Sequence, residues 1–318
     1  MADALVSPPV AITTGLTAMA LIGVASSKVS KIRRDDIIPL MGVMGAFVFA
    51  AQMINFSIPG TGSSGHIIGG VLLASMLGPW AAFITLSSVL IIQCLLFADG
   101  GLLALGCNII NMASMSCLVA FPLIYRPIAG NSLNKSRIFI ASIAACVIGL
   151  ELGAFLVTCE TELSGITALP FGEFLMFMLP IHLAIGVCEG VATALVICFV
   201  SAYRPSMLYD PSATDKMESY DGASSKKNRF VIVVLIVAAL AMAIGFTWIA
   251  SSNPDGLEWS ILNITGDTEL APAQVPATAI LPDYDSKLSG LIGGAVVVTA
   301  LWGICSLIFR KRKAKQRA

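Results

Sequence analysis

Two histidines carry most of the chemistry that this chain offers, and one of them stands in a bare setting. His66 lies in the stretch FSIPGTGSSGHIIGG, residues 56–70, between two apolar segments. Gly60, Gly62 and Gly65 permit tight turns that side chains forbid. Ser63 and Ser64 bring hydroxyls that can donate to a ligand or cap the next helix. A neutral imidazole there suits nickel, cobalt, copper or zinc; the alternative is a polar residue at a helix start near the membrane interface. His182 and Glu189, in MLPIHLAIGVCEGVAT, are seven residues apart and share one helix face. They suit a proton relay, a metal site or a structural hydrogen bond between helices. The structural reading is preferred, because no further ligand type stands at matching spacing.

Gly62-Ser63-Ser64-Gly65 also spells GxSG. Intramembrane serine proteases of the rhomboid type use a serine in that motif with a histidine on a later span, and Ser64 and His182 are the corresponding candidates here. That hydrolase reading requires a base within hydrogen-bond reach of the serine. The eight cysteines are spread along the apolar segments without a CxxC pair and read as small apolar filler.

The elements that position these residues follow from composition. The chain is 57% apolar and 12% charged, with a mean hydropathy of +0.87. Soluble domains carry about 25% charged residues. A spanning helix needs roughly 20 apolar residues, and nine candidate spans are expected: about 10–28, 37–55, 65–79, 80–98, 103–125, 137–159, 173–202, 229–250 and 288–309. The third is short, and Pro180 marks the seventh for a kink or a re-entrant turn. The fold class is all-α and polytopic rather than a barrel, which would alternate in short segments.

Charge orients the spans. Every Lys and Arg except Lys287 falls at the end of the first span, in 126–137, in 204–229 or in the tail RKRKAKQRA. The positive-inside rule then puts the N-terminus outside and the C-terminus in the cytoplasm. Asp99, Glu160, Glu162, Asp255, Glu258, Asp267, Glu269, Asp283 and Asp285 fall on the outer side. Residues 1–203 read as a seven-span block, 204–228 as a polar cytoplasmic linker, and 229–318 as two spans around an external loop, 251–287, that forms either a small ordered cap or a flexible segment. No cleavable signal peptide is expected, because the basic residues follow the first span. No Walker A motif occurs, so energy for transport must come from a partner or an ion gradient. In the sixth span Ala141, Ala145, Gly149 and Gly153 form a small-residue stripe that suits close approach of a neighbouring helix, preferably within the chain. Glu151 shares that span, and carboxylates in a membrane usually face the protein interior.

Several longer runs are more specific. SGHIIGGVLLASMLGPWAA, QCLLFADGGLLALGCNIINM and HLAIGVCEGVATALV, with the opening MADALVSP, resemble the CbiM/NikM substrate-binding component of energy-coupling-factor cobalt and nickel importers over residues 1–203. ASSNPDGLEWS, LPDY and the last glycine-rich span resemble the two-span CbiN/NikN, or PDGLE-type, companion unit. A fusion implies seven plus two spans, the number counted from charge.

The resemblance implies a bound Co(II) or Ni(II) held by four nitrogens near the outer mouth: the N-terminal amine, the backbone nitrogen and imidazole of a second-position histidine, and the imidazole of the SGH loop. His66 matches that last donor. Square-planar nitrogen donors suit Ni(II). Family chains of this subtype usually begin Met-His-Met-Ala-Asp-Ala-Leu, whereas this chain begins Met1-Ala2-Asp3-Ala4-Leu5. The expectation adopted is that the numbering starts two residues late; the alternative is a relative with an incomplete site. Asn55, Ser63, Ser64, Asn108 and Asn111 are candidates for holding the His66 loop. The resemblance further implies a transmembrane coupling protein and separate ATPase subunits as partners, and a role for 229–318 in metal loading. No enzymatic activity, resident cofactor or nucleic-acid partner is expected.

Overall fold

A computed structural model describes residues 1–32, 37–130, 134–210, 224–245, 250–268, 270 and 292–303. The chain is overwhelmingly helical. Helices α1 (Pro8–Val29), α2 (Ile37–Gln52), α3 (Gly70–Leu77), α4 (Pro79–Phe97), α5 (Leu105–Ala129), α6 (Lys135–Ser164) and α7 (Phe171–Tyr203) build the main bundle. Helices α8 (Ser224–Gly245), α9 (Gly256–Thr265) and α10 (Ile292–Gly303) follow. Among the described residues five helices, α1, α4, α5, α6 and α7, are long and apolar enough to cross a membrane alone. The expected linker lies mostly outside the described residues; its first part turns as Pro205–Met207, and Tyr209 donates its backbone N–H to Ser75 O at 2.8 Å.

The third expected span is corrected. Helix α3 has eight residues, about 12 Å of rise, too short to cross a bilayer. Ahead of it lies a β-hairpin, β1 (Phe56–Ile58) and β2 (Ser63–Gly65), paired antiparallel with Ser57 opposite Ser64, which meets the expected span at Gly65 alone. Gly60 and Gly62 both have positive φ, which the four-residue turn between the strands requires. Ser63 and Ser64 do not cap α3, whose N-cap is Gly69. Non-helical backbone at membrane depth is tolerated where protein covers it or where it lines a cavity, and Ser63, Ser64 and Gly65 are all buried. Pro79 opens α4 directly after the Gly78 turn, a favoured first helical position for proline.

Helix α7 runs through Pro180 without a break, 33 residues or about 50 Å. It packs closely along α6. A Cβ at Gly186 would sit 2.8 Å from Val147 Cα, and one at Gly190 would run into Ile143 Cα. The small-residue stripe of α6 faces α5 within the same chain: a Cβ at Gly149 would lie 3.2 Å from Ala120 Cβ, and one at Gly153 only 2.7 Å from Asn111 O. The companion helices join the same core. Val231 and Leu235 of α8, and Val297 and Leu301 of α10, are buried in the cluster that holds Met41, Met44 and Phe49 of α2.

Candidate metal centre

The hairpin presents His66 at its exit, and four contacts fix the loop. Gly65 packs so tightly on α7 that an added Cβ would lie 2.5 Å from Ile185 Cγ1. Glu189, fully buried on α7, accepts the backbone N–H of Ile68 and of Gly69, each at 2.9 Å. Gln52 donates to Ile68 O at 2.8 Å and is itself held by Gln93, whose Nε2 donates to Gln52 Oε1 at 2.8 Å. Hydrogen bonds to a charged group contribute about 1.5–3 kcal/mol each, so Glu189 is the strongest single anchor. Glu189 thus holds loop backbone first, and the Cys146 thiol of α6 lies 3.9 Å from its Oε1.

The N-terminal segment threads into the same end of the bundle. Met1 amine donates to Asn108 Oδ1 at 2.9 Å, and Asn108 Nδ2 returns a bond to Met1 O at 3.2 Å. Gly101 N donates to Met1 O at 3.1 Å, and Asp3 Oδ1 accepts from Ala104 N at 3.0 Å. Leu5 and Val6 are buried behind them.

Met1, His66, Asn108, Asn111, His182 and Asp255 all line one cavity of about 110 Å³. The imidazole of His66 has no hydrogen-bond partner among the described residues, which leaves both ring nitrogens available. His182 Nδ1 lies 2.7 Å from Met178 O. Among the described residues no group of three or more His, Cys, Asp or Glu side chains is placed to hold a metal. Backbone, terminal-amine, amide, carboxylate and water donors are open to a metal in this cavity besides the imidazoles.

The other expected helpers act differently from one another. Asn108 clasps the N-terminal residue and Asn111 donates Nδ2 to Glu160 Oε2 at 2.7 Å. Asn55, Ser63 and Ser64 do not reach toward the imidazole; they bind the segment before α9. Asn55 O accepts from Ser251 N at 2.8 Å. Ser64 N donates to Pro254 O and Ser64 Oγ to Asn253 O, both at 2.8 Å, and Ser63 Oγ lies 3.3 Å from Pro254 O. Trp259 Nε1 donates to Thr61 O at 2.9 Å, and its ring meets Phe177 edge-on at 5.7 Å. The start of the external loop is thus an ordered cap over the cavity; residues 271–291 lie outside the described residues. The Ser64 hydroxyl, fully buried, is committed to a carbonyl of that cap and not to a general base.

Two groups escaped the sequence reading. Glu160 was expected in an outer loop, but α6 continues to Ser164 and buries it beside Asn111. Asp255 was counted only as an outer acid. Yet Asp255 Oδ1 accepts from Leu257 N and Glu258 N at 2.8 Å, while Glu258 Oε2 accepts from Asp255 N at 3.0 Å. The letters PDGLE spell this capping box, an N-cap aspartate with glutamate three residues on, and that was the readable signal.

Known proteins resemble this chain in sequence and fold. The model of the CbiM family, described as the cobalt uptake substrate-specific transmembrane region, matches residues 1–207, and that of the PDGLE domain matches residues 229–310. A protein of Archaeoglobus fulgidus that carries the name of a fused nickel transport protein, NikMN, is 37% identical over 207 residues, 64% of this chain and 66% of its own length, just under two thirds. The fused nickel transport protein NikMN of Rhodobacter capsulatus is 26% identical over 312 residues, 94% of this chain and 85% of its own. A crystal structure of a truncated transition metal transporter superposes with a TM-score of 0.56 at 33% identity, covering 64% of this chain and 98% of that one. The chain belongs to the CbiM family, multi-pass membrane proteins of cobalt and nickel transport rather than enzymes, and it carries a PDGLE domain behind its CbiM region.

Proposed function

We propose that this chain is the substrate-binding membrane component of an energy-coupling-factor importer of cobalt or nickel. It works with a separate transmembrane coupling protein and ATPase subunits. The observation that carries the reading is the meeting of His66, the N-terminal residue and the PDGLE segment around one cavity. The names of its relatives, nickel transport proteins among them, support the class of ion.

His66 supplies one nitrogen to the bound ion. The terminal amine and a Met-His pair ahead of Met1 supply the rest, entering the cavity where Met1 now rests on Asn108. Neutral nitrogen donors in a plane favour Ni(II) and accommodate Co(II). The cavity faces outward, the basic tail lies in the cytoplasm, and acidic residues around the mouth raise the local concentration of divalent cation. The chain divides as a CbiM-like unit, 1–203, a linker, 204–228, and a companion unit, 229–318.

Nickel and cobalt uptake in cells carrying the partner subunits tests the reading, together with the intact mass and N-terminal sequence of the product of the native gene. His66→Ala should abolish uptake, and a product beginning Met-His-Met-Ala completes the donor set. Uptake that survives His66→Ala would sink the proposal. Ser64→Ala should leave uptake largely intact.

A further inference from the structure

The resemblance leaves His182 and Asp255 without a task, although both face the cavity. His182 is oriented for one. Its Nδ1 lies 2.7 Å from Met178 O, and a carbonyl only accepts, so in the neutral ring Nδ1 carries the proton. The lone pair then sits on Nε2, which has no partner among the described residues. A backbone carbonyl behind one ring nitrogen is the arrangement that orients a metal-binding imidazole and raises its basicity.

Asp255 stands beside it. One of its oxygens, Oδ1, is spent on the α9 cap, and Oδ2 makes no hydrogen bond among the described residues. The residue is half-buried, so this oxygen stands between solvent and cavity. The neighbouring Gly256 rests on the His182 ring, where an added Cβ would lie 3.2 Å from His182 Cε1. The PDGLE turn therefore brings a carboxylate to the imidazole from the outer side, with His66 on another wall of the same cavity.

We propose that Asp255 and His182 form a transfer site: they take a hydrated divalent cation at the cap and pass it to His66. The proposal rests on the metal-import reading above. One carboxylate oxygen and one imidazole nitrogen suit a nickel- or cobalt-like ion. Two donors, with water filling the remaining positions, hold it more weakly than a set of four nitrogens, so the ion moves inward. A site on the path in and out changes association and dissociation alike and leaves the equilibrium constant unaltered.

The test is nickel binding to the full chain, made from its native gene and purified in lipid nanodiscs, followed by stopped flow and by equilibrium titration. Asp255→Asn keeps the helix cap, because asparagine caps as well as aspartate, and removes the anionic oxygen. His182→Asn keeps a donor for Met178 and removes Nε2. Each variant should slow nickel association roughly tenfold, the low end of local electrostatic concentration effects, with Kd unchanged. Association at the wild-type rate in both variants overturns the transfer site, even where His66→Ala abolishes binding and the metal reading holds. Loss of equilibrium binding in His182→Asn also overturns it, by placing His182 in the final site. Wild-type binding in His66→Ala overturns the metal reading itself.

Discussion

Ser64 donates its backbone N–H to Pro254 O across 190 residues of chain at 2.8 Å, and its hydroxyl reaches Asn253 O at the same distance. The residue two places before the candidate ligand is thus bound to the start of PDGLE. Any movement of the cap pulls on the hairpin that presents His66. The fusion of the two units gives the cap a fixed address on the cavity it covers.

Trp259 anchors the cap beside the serine contacts, through its bond to Thr61 O and its ring against Phe177. Trp259→Ala should cost the cap about 2 kcal/mol, below the range for fully buried tryptophan because this ring is half-buried. Local opening controls amide exchange, so exchange over 256–265 should quicken about 30-fold while α5, α6 and α7 are unaffected. Unchanged exchange there would show that the serine contacts alone hold the cap.

Glu189 holds two N–H groups of the His66 loop. Glu189→Gln offers one carbonyl oxygen and turns an amide donor toward the second N–H. One buried backbone donor then loses its partner, at about 1–3 kcal/mol. Thermal unfolding in detergent should fall accordingly. Nickel affinity should drop by about tenfold, the lower end for outer-shell groups. A variant as stable as wild type with full affinity would remove Glu189 from the site.

How far these relationships were readable depends on the element. Composition and the placement of Lys and Arg are enough to reveal a polytopic helical bundle, because burying apolar length in lipid dominates everything else. The hairpin at 56–65 was not readable: three-residue strands are too short to show a period of two, and their Gly and Ser content reads as loop. His66 was visible as a scarce ligand in a bare loop. Its meeting with the N-terminus came only through the family resemblance, since nothing local in MADAL points to Asn108. Glu160 was misplaced because a helix that ends one turn later carries an apparent loop acid into the core. An ordered cap was one of the two readings of 251–287, but the capping box that starts α9 went unread, although Asp255 and Glu258 stand at its spacing.

Gly65 is required by space. A Cβ there would stand 2.5 Å from Cγ1 of Ile185 and 2.8 Å from its Cδ1. Gly65→Ala should therefore cost about 1–3 kcal/mol as overpacking, and it should displace His66. Ile185→Ala in the same chain makes room and should restore nickel binding that Gly65→Ala has lost. Failure of this rescue would remove the close approach to Ile185 as the reason for glycine at position 65.

Asn111 and Glu160 are the last pair to separate by measurement. An ionised carboxylate only accepts, so the bond from Asn111 Nδ2 fixes which way the amide faces. Its Oδ1, buried and without a partner among the described residues, is left as an open acceptor in a residue that lines the cavity. Glu160→Met strands the amide and Asn111→Leu leaves the buried carboxylate with the weaker Cys107 thiol donor alone, and each should cost about 1–3 kcal/mol. Replacing both partners by apolar groups of similar shape is often close to neutral, so the double variant should recover most of the thermal stability. It should not recover nickel affinity if Oδ1 accepts a proton from the ligands of the bound ion. Recovery of both would reduce the pair to a packing feature of α5 and α6, and recovery of stability alone would assign Asn111 to the site.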